Sequence, residues 1–229
     1  MLTALLILYL RKLDKKHAFL RKIRGWNFSG FKVPLIILLL SFQASSTFAQ
    51  QRSLKFGVWR NQACIGYINI DQKIMDKQTS YQLKSEINFR LLMSFQIVSS
   101  EKAMFENGIL KSSSVFRKIN GNEKANKGLQ FNNGVYRLTN GNNSRIVSMD
   151  SVYLNLISLY FNQPNNIKKI YLDNHQTVSD VIKLEDGKYK VPLSDGAYNI
   201  FYYQNGICKK VESVNPLYQV QIIPMTKTP

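Results

Sequence analysis

Seven two-residue turn signals punctuate this chain between Asn107 and Gly206, and they limit its fold more than any other feature. Asn-Gly occurs at Asn107-Gly108, Asn120-Gly121, Asn133-Gly134, Asn140-Gly141 and Asn205-Gly206, and Asp-Gly at Asp186-Gly187 and Asp195-Gly196. Such pairs tolerate the positive φ angles of the tight turns whose twist matches that of paired strands. Repeated along one chain, they predict successive hairpins and an antiparallel sheet.

The stretches between the turns agree. Tyr81, Leu83, Ile87, Phe89 and Leu91 alternate with Gln82, Lys84, Glu86, Asn88 and Arg90, the period of a strand with one buried and one wet face. Before the middle of the chain, strands are expected over Leu54–Arg60, Ala63–Gln72, Met93–Glu106, Ile109–Ile119, Lys124–Phe131 and Val135–Thr139. Beyond it they are expected over Ile167–Leu172, Thr177–Glu185, Lys188–Pro192, Ala197–Gln204, Ile207–Ser213 and Leu217–Ile223. Asn61-Gln62 is expected to turn without a glycine, and Leu91–Met93 to form either a bend within one strand or a tight turn. Val152, Tyr153, Leu156, Leu159 and Tyr160 fall at helical spacing, with Asp150 or Ser151 as a cap and Pro164 as a stop. Leu154, Ile157 and Phe161 fill the other side, so this helix would be buried nearly all round. The fold class expected is mainly β: a strongly curved antiparallel sheet, open or half barrel, wrapped around one short buried helix near 151–161. A β-sandwich with the helix as a lid is the alternative.

The N-terminal segment follows a different logic. Val33 to Leu40 is apolar, Ser41 to Thr47 is small and polar, and Thr47-Phe48-Ala49 precedes Gln50-Gln51. A basic flank, a short apolar run and small residues at the minus-three and minus-one positions lay out a secretory signal peptide cleaved after Ala49. The run is shorter than the roughly 20 residues a spanning helix needs, although an N-terminal anchor in the inner membrane is the alternative. Residues 1–49 therefore read as a presequence and 50–229 as a single antiparallel β domain, exported and periplasmic. Met1 to Lys32 is longer than an ordinary n-region, yet no Met lies between Met1 and Met75 to offer a later start.

Of the 31 Lys and Arg and 14 acidic residues, residues 1–49 hold eight and one, so the remainder carries 23 against 13, about +10 rather than +17. In an exported protein this charge suits an anionic membrane surface, or solubility alone. The basic residues are scattered and no nucleic-acid motif accompanies them, so no nucleic-acid partner is expected. Cys64 and Cys208 could form a disulfide or stand as separate buried thiols.

Catalytic signals are sparse. His175 is the one histidine after residue 49, in a loop beside Asp173 and Asn174, and is expected to be exposed. No metal-ligand spacing, phosphate loop or nucleophile elbow occurs. Cys208 or Cys64 with His175 would be the only thiol nucleophile to draw. The pairs Asp71 with Asp76 and Glu185 with Asp186 read as turn and rim residues. No catalytic residue, cofactor or metal is assigned, and an enzyme is not expected. The last third is rich in aromatics: Tyr198, Ile200 and Tyr202 share one strand face, Phe201 and Tyr203 the other. Core packing explains them, or a ligand-facing role for Tyr198, Tyr202 and Tyr203.

The stretches Val58-Trp59-Arg60-Asn61 with Ile65-Gly66, Glu106-Asn107-Gly108-Ile109-Leu110, Leu159-Tyr160-Phe161 before Pro164, Pro192 with Asp195-Gly196 and Asn199, and Tyr203 through Cys208 together carry a resemblance. Residues 53–223 resemble an uncharacterised family of exported proteins of Gram-negative bacteria, the domain of unknown function six-one-three-four. Gln62 departs from it, standing where a Gly would follow Asn61. The resemblance implies an envelope protein with a curved sheet, a shape shared with lipoprotein carriers, and brings no functional residue with it. The expectation is a non-enzymatic envelope protein that binds a lipid or other amphiphile in the concave face. A structural or protein-interaction module with a filled core is the alternative, and an enzyme using Cys208 or paired carboxylates the more remote one.

Overall fold

The computed structural model describes residues 49–90 and 93–225. The expected signal peptide and presequence fall outside them, except for Ala49. Eight strands come first: β1 (Gln50–Arg60), β2 (Ala63–Met75), β3 (Gln78–Arg90), β4 (Ser94–Glu106), β5 (Ile109–Ile119), β6 (Asn122–Asn132), β7 (Val135–Asn140) and β8 (Asn143–Val147). An irregular segment then leads to β9 (Lys169–Leu172), β10 (Thr177–Asp180), β11 (Ile182–Glu185), β12 (Lys188–Pro192), β13 (Tyr198–Gln204), β14 (Ile207–Asn215) and β15 (Tyr218–Pro224). Thirteen strands form one antiparallel sheet in the order β11-β12-β13-β14-β15-β1-β2-β3-β4-β5-β6-β7-β8, while β9 and β10 pair separately.

Most of the turn dipeptides act as expected, although in Asp186-Gly187 only the glycine lies at positive φ. Asn and Gly are both at positive φ in Asn107-Gly108, Asn120-Gly121, Asn133-Gly134 and Asn205-Gly206, the signature of type I′ turns. Asn140-Gly141 works differently. Asn140 pairs with Asn143, so Gly141 at φ 56° is the first central residue, as a II′ turn requires. Asn61 and Gln62 turn at φ 48° and 66° without a glycine. The register runs from Gln78↔Glu106 to Arg90↔Ser94, so β3 and β4 are a hairpin rather than one bent strand; Leu91 and Leu92 lie outside the described residues.

The strand phases set the core. Phe56 and Val58 on β1, Ile68 and Ile70 on β2, and Tyr81 and Leu83 on β3 are all buried, and so are Phe201 on β13 and Val211 on β14. One face is therefore apolar across many strands, each such side chain contributing roughly 1.5–3 kcal/mol when fully buried.

Several expectations need correcting. The helix near 151–161 does not form; the segment is extended to Leu154 and contains only a 3₁₀ turn, Ser158–Tyr160. Its extended part joins the backbone network instead: Leu110 N donates to Val152 O, Val152 N to the Tyr136 hydroxyl, and Tyr171 N to Leu154 O. Asn155 then turns the chain through its own side chain, whose Oδ1 accepts from Ser158 N at 3.1 Å, while Ser158 Oγ donates to Asn155 O at 2.7 Å. Local side-chain to backbone bonds of this kind compete with a helical ladder. Burial of the segment holds: Ile157, Leu159, Tyr160 and Phe161 are buried, although Tyr153 is 56% exposed. No ladder joins β8 to β11 among the described residues, so the sheet is open, as expected, but it is not strongly curled around a helix. The expected strand Thr177–Glu185 is split at Val181 between β10 and β11, and β8 is an additional strand.

The segment between β8 and β11 leads from one edge of the sheet to the other, and side chains fix this crossing segment to strands far apart in the sheet. The Tyr203 hydroxyl on β13 donates to Leu159 O at 2.6 Å, and Asn162 Nδ2 donates to the Tyr81 hydroxyl on β3 at 3.0 Å. Gln176 Nε2 donates to the carbonyls of Gly128 and Thr139, and Lys127 Nζ on β6 to Asn174 O.

Candidate functional site

A cavity of about 350 Å³ lies between the core face of the sheet and the crossing segment. Period-two alternation sends Val58, Ile68, Leu83 and Ile97 into its wall from β1 to β4, and Phe201, Val220 and Ile222 from β13 and β15. Leu156, Ile157 and Tyr160 close it from the crossing segment.

Polar groups gather in the same wall. Arg117 on β5 donates from Nε to Ser99 Oγ at 2.9 Å and from Nη2 to Glu101 Oε1 at 3.2 Å, the side chains being 29% and 15% exposed for Arg117 and Glu101. Burial pushes the Glu101 carboxyl above its ordinary range, and Arg117 opposes only part of that. Asp173, just past β9, is 6% exposed. Its Oδ2 accepts from Asn155 Nδ2 at 2.9 Å, whereas Oδ1 has no partner. Burial pushes this carboxyl up to about 7; Ser113 and Asn155 pull it down, and the nearby Glu101 charge pushes it further up. His175 is half-buried on the turn after Asp173, also in the cavity wall, and burial together with Lys127 and Arg117 lowers its pKa, leaving a neutral imidazole at neutral pH. Asn199 on β13 adds another wall side chain, and its Oδ1 too lacks a partner.

The residues singled out in the sequence are distributed otherwise. Tyr198 and Tyr202 lie on the opposite face of β13, where Lys190 Nζ sits 4.1 Å from the Tyr198 ring centre and Lys210 Nζ 4.1 Å from that of Tyr202. The Tyr202 hydroxyl donates to Glu212 Oε2 at 2.8 Å. Tyr203 is buried but spent on Leu159, outside the cavity wall. None of the three faces the cavity; its aromatics are Tyr160, Phe201, Phe89 and Tyr218.

Cys64 and Cys208 are free, the first exposed and the second buried. Their strands, β2 and β14, are separated by β1 and β15, which is roughly 14 Å across the sheet against the ~7 Å Cα limit of a disulfide. Burial pushes the Cys208 thiol up to about 12, and Cys208 lines another cavity, of about 310 Å³, beside Phe56 and Phe161. The raised pKa disfavours a Cys208 thiolate, and Cys208 lines a different cavity from the one that His175 lines. Asp71, Asp76, Glu185 and Asp186 are exposed, as turn and rim residues should be. Among the described residues no group of three metal-ligating side chains exists.

The pair that sequence reasoning missed is Glu101 with Asp173, together with Arg117. A signal existed for one of them. In β4 the residues Phe95, Ile97, Ser99, Ala103 and Phe105 share a phase, and Glu101 stands in it, so an inward-facing acid was readable. Asp173 had no such signal, because its placement depends on the crossing segment.

Taken together, these features define a mainly β, antiparallel domain with a single-face core and a partly apolar cavity. The chain belongs to the family described as Domain of unknown function (DUF6134), which matches residues 56–225. No curated protein matches it. Among solved structures it is similar, at 9% identity and a TM-score of 0.49, to one titled as the crystal structure of a beta-barrel-like protein of domain of unknown function DUF1849 from Brucella abortus. The match covers 78% of this chain and 96% of that one.

Proposed function

We propose that this chain is an exported, non-enzymatic envelope protein that holds an apolar or amphiphilic molecule between the concave face of its sheet and the crossing segment. The cavity carries this reading: its volume lies within the range of about 300–1,000 Å³ usual for small-molecule sites, and it joins mostly apolar walls to a few convergent polar groups. Export to the periplasm is supported by the apolar run and small residues ending at Ala49, with β1 starting at Gln50. Lys188, Lys190 and Lys210 over the outer tyrosines favour peripheral contact with an anionic membrane surface. The raised pKa of the buried Cys208 thiol and the exposure of the sequence-adjacent carboxylates favour binding over catalysis.

Native mass spectrometry and solvent extraction of protein taken from the periplasm of a Gram-negative host test this reading. A co-purifying amphiphile is expected, and Ile97→Trp, which adds bulk at the cavity wall, should remove it while leaving the fold intact by circular dichroism. An empty protein that also fails to bind an apolar fluorescent dye at micromolar concentration would overturn it. That outcome would favour an interaction module with a filled core, a reading supported by the crossing segment's hold on much of the sheet face.

A further inference from the structure

We infer that Arg60, at the turn end of the cavity, receives the anionic head group of a single-chain amphiphile whose acyl chain runs inward along the apolar wall. This deepens the binding reading above and rests on it. The chemistry recognised is an anionic oxygen group, a carboxylate or a phosphate, on one chain.

Arg60 is the last residue of β1 and shares the inward phase of Phe56 and Val58. It lines the cavity where several strands reach the same end of the sheet. Ile65 and Ile97 stand near the starts of β2 and β4, Phe89 and Ile119 at the ends of β3 and β5, and Tyr218 at the start of β15. These side chains and Arg60 are half-buried, whereas Leu83, Ile157, Tyr160 and Phe201 in the rest of the wall are buried. Solvent therefore reaches the cavity more readily at the Arg60 end.

The guanidinium is held there without being neutralised. Its carbon lies 5.9 Å from the Phe89 ring centre, and Nη1 donates to Arg90 O at 3.3 Å. Most of its planar fork of donors is left for a bidentate partner. Among the described residues it makes no ion pair.

The other charged groups of the wall are already matched. Arg117 is paired to Glu101, and the Asp173 carboxyl is hydrogen-bonded by Asn155 and Ser113. They also stand well away from Arg60. Phe95 pairs with Phe89, and Glu101 comes six residues further along β4, about 20 Å at the rise of a strand. Val58, Ile68, Leu83, Ile97, Val220 and Ile222 make the wall apolar in between. A half-buried charge in such surroundings gains from a counter-ion, and a carboxylate or phosphate on a guanidinium forms hydrogen bonds of the strong, charge-assisted kind. The reverse orientation would set an anion against Glu101 and Asp173 instead. The cavity's size, at the low end of ligand sites, suits one acyl chain rather than two.

The test uses the purified chain, freed of bound lipid on a hydrophobic resin, and displacement of an apolar fluorescent dye at pH 8. The competitors are laurate, lauroyl glycerol phosphate and monolauroyl glycerol. At least one of the two anions should bind about tenfold tighter than the uncharged monolauroyl glycerol, the effect of one charge-assisted hydrogen bond. The tighter anion tells a carboxylate head from a phosphate. Arg60→Gln should remove that advantage and leave monolauroyl glycerol unchanged, and Arg60→Lys should keep part of it. Monolauroyl glycerol binding as tightly as both anions, or Arg60→Gln weakening all three alike, overturns the inference and leaves the binding reading standing. So does a dye that binds and that none of the three displaces. If neither the dye nor any competitor binds, the inference and the reading fall together. The wild-type comparison decides the matter even if a variant does not fold.

Discussion

Asp173 concentrates the tension of this structure in one side chain. An unfolded Asp titrates near 3.9, whereas this buried carboxyl is pushed up to about 7. Between those values the folded state holds more protons than the unfolded one, so stability falls as pH rises, and the loss is complete above about pH 7. The groups facing it are Glu101, whose raised pKa adds in the same sense, and Ser113 and Asn155, which favour the charged form; Arg117 is tied to Glu101 in the same wall. Asp173→Asn removes the titration yet keeps an oxygen to accept from Asn155. The variant should therefore gain stability relative to the wild type between pH 5 and pH 8, on the order of 2–4 kcal/mol. Thermal denaturation of both proteins across that range reads the difference directly and cancels the general effect of the chain's basic charge. Parallel curves would show that Asp173 is not buried as described.

At the scale of elements, the crossing segment decides which parts of the fold could be read in advance. Strands were legible because the turn dipeptides and the alternation point the same way, as in β13, where Phe201 and Tyr203 face the core and Tyr202 faces the lysines. The segment from Val152 to Phe161 was not, since an apolar stretch buried on most sides has the same composition whether extended or helical. Its actual form depends on partners distant in sequence, Leu110, Tyr136 and Tyr171. For the same reason Asp173 could not be placed in a site, although Glu101 could have been from its strand phase. Asn155 is the residue that resolves the ambiguity. It is fully buried, accepts from Ser158 N and donates to Asp173. Asn155→Ala strands an N–H and a carboxylate oxygen, each worth about 1–3 kcal/mol, so the loss should be about 2–5 kcal/mol. Urea unfolding should show it as a lower midpoint with an unchanged m-value. A loss below about 1 kcal/mol would mean that packing alone holds the turn.

The whole molecule is organised around a seam that no local pattern announces: β15 pairs with β1, Phe56 opposite Pro224 and Trp59 opposite Gln221. The first and last strands of the sheet thus meet in its middle, while its edges, β8 and β11, come from the interior of the chain. The seam also settles the cysteines. With β15 and β1 inserted between them, β14 and β2 cannot bring Cys208 and Cys64 together, whatever the redox state of the compartment. An oxidising environment permits a bond that the topology forbids. Two reactivities should result. Cys64, exposed on β2, should be modified by a water-soluble thiol reagent in the native protein. Cys208, buried with its thiol pushed up to about 12, should react only on unfolding. Thiol titration should then find one fast equivalent in buffer and two in denaturant, with Tm unmoved by a reductant. A protein isolated without free thiols, its Tm falling on reduction, would place the two strands side by side and refute the order of the sheet.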